Sequence, residues 1–185
     1  YKMEPNILFY FIISILVIVA LSALFSMIEV AILTVPTSKI QAEIETGNYS
    51  AITLMKLKEK LEDTIAAVVI INNVVNIGGS FLIGGLSKLY FSEYYFIENY
   101  VIPIVMIVLI IVFGEVMPKV IGETYNDKIA FKAAAFVNLL SKLLSIPIQL
   151  ISIVTKYFRQ NNIPLTSEDE IKDLVNLGGK SGAIE

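Results

Sequence analysis

The chain has 185 residues, of which 56% are hydrophobic, and its mean hydropathy is +0.74. This composition is too apolar for an ordinary soluble domain, and the length suffices for one small bundle of membrane helices with short flanks. The formal net charge is −3 and the charged residues lie between the apolar runs, so we expect no basic surface for nucleic acid.

Cysteine and histidine are both absent. Their absence excludes disulfides, thiolate metal sites, zinc motifs built on histidine, and Ser-His or Cys-His nucleophile pairs. Any bound metal is therefore expected to be a hard cation held by oxygen atoms.

The first apolar run predicts a membrane span over residues 7–35, which Pro36 ends. Ser22, Ser26 and Glu29 interrupt this run at spacings of four and three, so they share one helix face. Polar groups inside a span usually face a bundle interior or a pathway. The serines also suit close helix packing or hydrogen bonds to their own helix, and for Ser22 both interpretations stay open.

Residues 37–62 are polar and rich in Lys and Glu, which predicts a water-facing helical hairpin. Gly47 and Asn48 predict the turn between its two short helices. Ser38 and Ser50 are predicted to cap the helix starts.

The second span is predicted over residues 64–89. Asn72, Asn76 and Ser80 form one stripe along it, with Asn73 beside them. Asparagines can join helices without any ligand, but three within five residues favour ion ligation.

Four glycines on the second span allow close approach of another helix. They suit either contact with a second copy of the chain or packing within one copy, and both remain open. These residues are Gly78, Gly79, Gly84 and Gly85.

The third span is predicted over residues 100–118 and ends in a Gly-Glu-Val-Met-Pro-Lys segment. Glu115 is a candidate functional residue because a carboxylate within a span is costly. Pro118 has no N–H, so the carbonyl of Gly114 loses its usual helical partner. The segment therefore offers a carbonyl oxygen next to a carboxylate; the alternative is a plain proline kink.

Residues 127–158 are apolar on average but carry one polar stripe, which predicts an amphipathic juxtamembrane helix kinked at Pro147. A helix lying in the membrane interface is favoured over a fourth span. The stripe consists of Asn138, Ser141, Lys142, Ser145, Gln149, Ser152 and Lys156.

Residues 159–185 are polar and are expected to be a linker towards a further soluble domain. The lysine distribution predicts the orientation in the cell membrane. The hairpin holds Lys39, Lys56, Lys58 and Lys60, whereas the loop after the second span follows a single lysine, Lys88. By the positive-inside rule the hairpin and the C-terminus are cytoplasmic and the N-terminus is outside.

The polar residues of the three spans are predicted to lie at a common depth. Ser26, Asn72 and Glu115 each lie roughly 10–12 Å inside the expected cytoplasmic ends of their helices. One site can therefore collect hydroxyl, amide, carbonyl and carboxylate oxygens and is predicted to hold a dehydrated cation, although an all-protein cage is unusual for Mg²⁺. That set suits Mg²⁺, Ca²⁺ or Na⁺, and the residues alone do not choose among them.

Three segments carry a resemblance to a known family. They are the Leu-Ser-Ala-Leu-Phe-Ser-Met-Ile-Glu-Val-Ala segment at 21–31, the Asn-Asn-Val-Val-Asn segment at 72–76, and the Phe-Gly-Glu-Val-Met-Pro-Lys segment at 113–119. With these segments the chain resembles the transmembrane domain of the CorC/CNNM (cyclin-M) family of Mg²⁺ transporters. Two positions depart from the family pattern: Met27-Ile28 replaces a common Gly-Ser, and Ile71 replaces a common Gly.

The resemblance implies an all-α membrane protein, with three transmembrane helices, a cytoplasmic helical hairpin and a juxtamembrane belt helix per subunit of a homodimer. It implies Mg²⁺ export driven by Na⁺ entry, with regulation by ATP–Mg²⁺ at a cytoplasmic CBS pair to which residues 159–185 lead. The family's ion-site motif maps onto Ser22, Ser26, Asn72, Asn76, Gly114 and Glu115. Further candidate ligands are Glu29, Asn73 and Ser80.

A second functional class is a membrane Mg²⁺ sensor that binds the ion and regulates other transporters without moving it. The sequence does not separate this class from a transporter. An intramembrane enzyme is disfavoured because the chain lacks His and Cys, and because all its Asp residues lie outside the spans.

Overall fold

The computed structural model describes residues 5–158, and residues 8–153 with their side chains; the predicted linker 159–185 lies outside the described residues. The chain divides into two units, Tyr1–Gln149 and Leu150–Glu185. All elements of the described range are helical. They are α1 (Pro5–Thr34), α2 (Thr37–Glu45), α3 (Tyr49–Glu59), α4 (Leu61–Phe91), α5 (Ile97–Thr124), α6 (Asn126–Leu143) and α7 (Ser145–Phe158).

Helices α1, α4 and α5 are long and apolar enough to cross a membrane, over Leu8–Thr34, Leu61–Phe91 and Ile97–Thr124. The prediction of an all-α membrane protein with three spans is therefore confirmed. The third helix continues past the predicted end at Pro118 to Thr124. Proline removes one backbone donor without forcing the chain out of the helix when the surrounding turns widen.

The spans pack around α1, which contacts both α4 and α5. Towards the N-terminal end of α1, Phe11 and Ile18 are buried with Ile83 of α4 and Met106 of α5. At the other end of α1, a larger apolar cluster joins α1 to the short helices and α6. Its fully buried members include Ile32, Ile40, Leu54, Ala134 and Val137.

The two short helices α2 and α3 are joined by a tight turn in which Gly47 has a φ of 85°, a value that favours glycine. The side chain of Asn48 caps α3 by accepting a hydrogen bond from the Ser50 N–H at 3.0 Å. The predicted caps Ser50 and Ser38 are therefore wrong. The helices begin at Tyr49 and Thr37, so both serines lie inside the first turn, where their own side chains cannot serve as the cap.

Two lysines tie this helical pair to its neighbours. Lys58 Nζ donates to the Leu33 carbonyl at 3.0 Å, near the end of α1, and burial lowers the pKa of Lys58. Lys39 forms a salt bridge of 2.8 Å with Asp127 at the start of α6. The hydrogen bond from Lys39 holds the pKa of Asp127 below its ordinary value.

The predicted juxtamembrane helix is broken at Leu144 into α6 and α7. Pro147 lies in the first turn of α7, where its missing N–H costs little. Pro147 cannot donate to the carbonyl of Leu143, and α6 ends at Leu143. The break thus lies N-terminal to the proline that was expected to cause it. Length and composition still allow α6 and α7 to form a fourth, broken span.

Candidate ion-binding site

One hydrogen bond connects α1 to α5 inside the bundle. The Ser22 hydroxyl donates to the Gly114 carbonyl at 3.2 Å, and Ser22 is fully buried. The carbonyl that Pro118 leaves without its helical donor is therefore bonded rather than vacant, although a carbonyl oxygen has a second lone pair. A Cβ on Gly114 would lie 2.8 Å from Ser22 Oγ, so only glycine allows this approach.

A second hydrogen bond connects α1 to α4. Asn72 Nδ2 donates to Ser26 Oγ at 3.3 Å, between two buried side chains. The Ser26 oxygen acts as acceptor here, so its own proton takes no part in this bond. Ser26 and Asn72, which were predicted to lie at the same depth in the membrane, are thus in direct contact.

A third hydrogen bond connects α4 to α5. Asn76 Nδ2 donates to Glu115 Oε1 at 3.2 Å. Asn76 is buried and Glu115 is half-buried. Each pair of spans is thus bridged once, and these bridges use all the residues that the family motif supplies: Ser22, Ser26, Asn72, Asn76, Gly114 and Glu115.

Two oxygen atoms of this site have no hydrogen-bond partner in the described part of the chain: Asn72 Oδ1 and Asn76 Oδ1. Both asparagines are nearly inaccessible, with 6% and 9% of their surface exposed. They are one helical turn apart on α4, so both amides lie on the same face. Buried acceptors without a donor are rare and costly, and a cation is a partner that would satisfy both.

Glu115 supplies the only carboxylate of this set. No ion pair to Glu115 is present among the described residues, so its charge is not balanced by a lysine or arginine there. The described residues also contain no cluster of three or more His, Cys, Asp or Glu side chains. The donor set therefore consists of amide, hydroxyl and carbonyl oxygens around a single carboxylate, which is the chemistry of a hard-cation site.

The backbone of α5 is widened where it carries the site. Over Ile110–Val116 the turns are wider than in an α-helix, and the Met117 N–H bonds the Val112 carbonyl five residues back. Such wide turns are frequent at functional sites. The sequence analysis did not predict these wide turns. Gly114 and Pro118 were the residues that could have indicated them, but they were interpreted only as the loss of one hydrogen bond.

The additional candidates lie less centrally. The Ser80 hydroxyl donates to the carbonyl of Asn76 at 2.7 Å, on its own helix. Asn73 is exposed on the neighbouring face of α4. Glu29 is half-buried on α1, and no hydrogen bond joins it to the six motif residues in the described part of the chain.

A groove of about 800 Å³ between α4 and α5 leads along the helices from this site. Asn76 and Glu115 line one part of it, and Lys88 lines it further along α4. The walls between them are mainly apolar and include Phe81, which is 77% exposed, and the glycines Gly84 and Gly85.

Comparison with known proteins places this arrangement in a family. Residues 12–185 match the family model for the cyclin M transmembrane N-terminal domain. The UPF0053 protein sll1254 of Synechocystis sp. is 35% identical over 165 residues, which cover 89% of this chain and 47% of the relative.

Two further relatives agree with this result. The UPF0053 inner membrane protein YfjD of Escherichia coli is 32% identical over 74% of this chain and 31% of its own length. A UPF0053 protein of Haemophilus influenzae is 28% identical over 90% of this chain and 40% of its own length. The chain thus spans less than half the length of these relatives, and it belongs to the CorC/CNNM (cyclin M) family as a membrane domain.

Proposed function

We propose that this chain is the ion-binding membrane domain of a transporter that moves Mg²⁺. The observation that carries the proposal is the pair of buried oxygens without donors, Asn72 Oδ1 and Asn76 Oδ1. Asn76 also donates to Glu115, so one of the two unpaired oxygens belongs to a side chain that contacts a carboxylate. A bound cation would satisfy both acceptors and balance the carboxylate at once.

The choice of Mg²⁺ rests on the family together with the donor set. Oxygen donors and one negative charge suit Mg²⁺, Ca²⁺ or Na⁺ alike. Mg²⁺ gives up its water reluctantly and is commonly held by one or two carboxylates and several waters. A site with a single carboxylate and neutral oxygens fits such a partly hydrated ion, and the family implies Mg²⁺ among the three.

For the direction of transport and the coupling ion, the proposal rests on the family alone. The proposal is export of Mg²⁺ driven by entry of Na⁺, with the N-terminus outside and the C-terminus in the cytoplasm. The lysines of α2 and α3 support this orientation, because positive residues are retained on the cytoplasmic side. The proposal includes regulation by ATP–Mg²⁺ at a cytoplasmic CBS pair, as the family implies.

The function is tested by Mg²⁺ flux into liposomes that contain the purified protein and a trapped Mg²⁺-sensitive dye. We expect Glu115→Gln to lower the initial rate at least about tenfold, since the only carboxylate of the site loses its charge; such a loss corresponds to about 1.4 kcal/mol. Glu123→Gln is the matched control, because Glu123 is an exposed glutamate on the same helix. It should leave the rate unchanged.

Two outcomes would contradict the proposal. Flux by Glu115→Gln equal to that of the unchanged protein would remove the site from the transport path. Mg²⁺-dependent thermal stabilisation without any flux would instead support the sensor, which binds the ion but does not move it. Stabilisation by Mg²⁺ is expected to be about 2.7 kcal/mol at a concentration of 100 times the Kd.

We also propose that the protein acts as a homodimer in the lipid bilayer and that a second copy covers the groove between α4 and α5. Of the four glycines on α4, Gly79 packs inside the chain, where a Cβ would lie 2.5 Å from the side chain of Ile18. Gly84 and Gly85 line the groove and have no such neighbour within 4 Å among the described residues, whereas Gly78 lies outside the groove. Their bare backbone supports close contact with another helix.

A further inference from the structure

A second pocket lies away from the ion site, where α4 begins next to α3 and α6. Its volume is about 580 Å³. Three lysines line it: Lys56 of α3, Lys60 immediately before α4, and Lys142 of α6. The pocket therefore lies at the end of a membrane span, at the level where lipid headgroups meet water.

The opposite wall of the pocket is the polar stripe of α6 and α7 that has no role in the ion site. Asn138, Ser141, Lys142, Ser145 and Gln149 all line the pocket. The other face of α6 is apolar and is buried against α1 and α3. The amphipathic pattern is thus explained by a protein-lined polar cavity on one face and by the bundle core on the other.

The pocket presents more positive than negative charge. The three lysines are exposed, and none of them makes an ion pair with a described residue. Glu59 and Asp63 also line the pocket, so one positive charge remains in excess. Lysine ammonium groups without a carboxylate partner can bind an anionic oxygen.

One hydrogen-bond group inside the pocket lacks a partner. Ser141 Oγ is buried and has no hydrogen-bond partner in the described part of the chain. A serine within a helix can bond the carbonyl four residues back, yet this hydroxyl does not. It therefore remains available as a donor to a ligand held by Lys142, the next residue.

We propose that this pocket binds a phosphate group, with Lys56, Lys60 and Lys142 balancing its charge and the Ser141 hydroxyl donating a hydrogen bond. The phosphate belongs either to the headgroup of an anionic phospholipid or to a free phosphate in the adjoining water. The proposal is independent of the ion site, because none of its residues belongs to the six-residue motif.

The test measures thermal unfolding of the whole purified chain in phosphate-free detergent micelles. Three probes are titrated: dihexanoyl phosphatidylglycerol, inorganic phosphate, and dihexanoylglycerol, which has the same acyl chains without phosphate. We expect phosphatidylglycerol to raise the melting temperature saturably and dihexanoylglycerol to have no effect. A comparable response to inorganic phosphate supports a free phosphate as the ligand; a response to the phospholipid alone supports a headgroup.

Two variants on α6 provide the matched comparison. Lys142→Gln should weaken the apparent affinity for phosphatidylglycerol about fivefold, the usual contribution of one lysine near an anionic headgroup. Lys132→Gln removes the same charge from an exposed position on the same helix outside the pocket, and it should leave the affinity unchanged. Equal weakening by both variants, or an equal response to dihexanoylglycerol, would overturn the proposal.

Ser141→Ala gives a signature that a structural role alone would not give. Removing a buried hydroxyl without a partner should leave the ligand-free melting temperature unchanged or raise it. The same variant should weaken phosphatidylglycerol binding. If it leaves binding unchanged, the pocket is not the site of the phosphate.

Discussion

At the scale of single residues, the candidate ion site depends on small and neutral side chains as much as on its carboxylate. Gly114 lets the Ser22 hydroxyl reach the backbone of α5. The asparagines use their nitrogen atoms to join helices and keep their oxygens without donors. One amide thus positions a neighbouring span and offers a ligand at the same time.

The contact between Ser22 and Gly114 leads to the first stability prediction. Gly114→Ala should reduce the free energy of unfolding by about 1–3 kcal/mol, because its Cβ would lie 2.8 Å from Ser22 Oγ. Ser22→Ala should cost about 1 kcal/mol through the lost hydrogen bond. The measurement is the fraction of monodisperse protein in detergent after heating.

The double variant Ser22→Ala with Gly114→Ala is the control for this interpretation. The lost bond and the steric contact involve the same hydroxyl, so the combined loss should be smaller than the sum of the single losses. Losses that simply add would mean that the two residues act independently.

Sequence reasoning named the residues that the structure joins by hydrogen bonds, but it did not predict which of them pair. Spacings of four along α1 and α4 placed Ser22 with Ser26 and Asn72 with Asn76, because helical periodicity determines a shared face. It placed Ser26, Asn72 and Glu115 at one level, whereas Glu115 bonds Asn76, one turn further along α4. Which side chains pair between helices depends on how each helix is rotated and on the wide turn of α5. The periodicity of one helix predicts neither of these.

At the scale of helices, the contact between α1 and α5 is unusually close at one position. Around Gly122 the backbone of α5 lies against the carbonyl of Met27, and a Cβ there would also lie 3.1 Å from the Met27 Cα. Backbone atoms cannot move aside by changing rotamer. The close approach therefore requires glycine.

Gly122→Ala should consequently lower the free energy of unfolding by about 1–3 kcal/mol. Gly78→Ala on α4 is the matched control, because a Cβ at that position would have no heavy atom of another described residue within 4 Å, and it should cause no loss. Thermal unfolding of both variants in the same detergent checks the prediction. Equal melting temperatures would mean that α1 and α5 are less closely packed than the structure shows.

The helices differ in how well the sequence predicted them. The three spans were predicted from the length of their apolar runs, since a helix needs about 20 apolar residues to cross a bilayer. The break at Leu144 was expected at Pro147 because the helix start was not foreseen; proline is tolerated in a first turn. The caps of the short helices were missed because Ser38, Asn48 and Ser50 all suit a helix start and local sequence does not rank them.

At the scale of the whole molecule, the groove between α4 and α5 leaves an apolar surface beside the ion site. Its exposed residues include Ile77 and Phe81 on α4 and Ile111 on α5. Lipid tails could cover this surface, but they would also contact the site residues Asn76 and Glu115 that line the groove. A second protein copy would exclude lipid from that position, which agrees with the homodimer proposed above.

Gly85→Leu tests that assembly, because a leucine in the groove would hold two copies apart while its Cβ faces no other described residue of its own chain within 4 Å. We expect its dimer dissociation constant to rise at least about tenfold, or about 1.4 kcal/mol, as measured by mass photometry in detergent across a dilution series. Ala20→Leu adds a leucine to an exposed position on α1, outside the groove, and should leave the dimer intact. If both variants remain equally dimeric, the second copy contacts another surface and the groove faces lipid. If Gly85→Leu is monomeric and also loses Mg²⁺ flux, the ion path requires both copies.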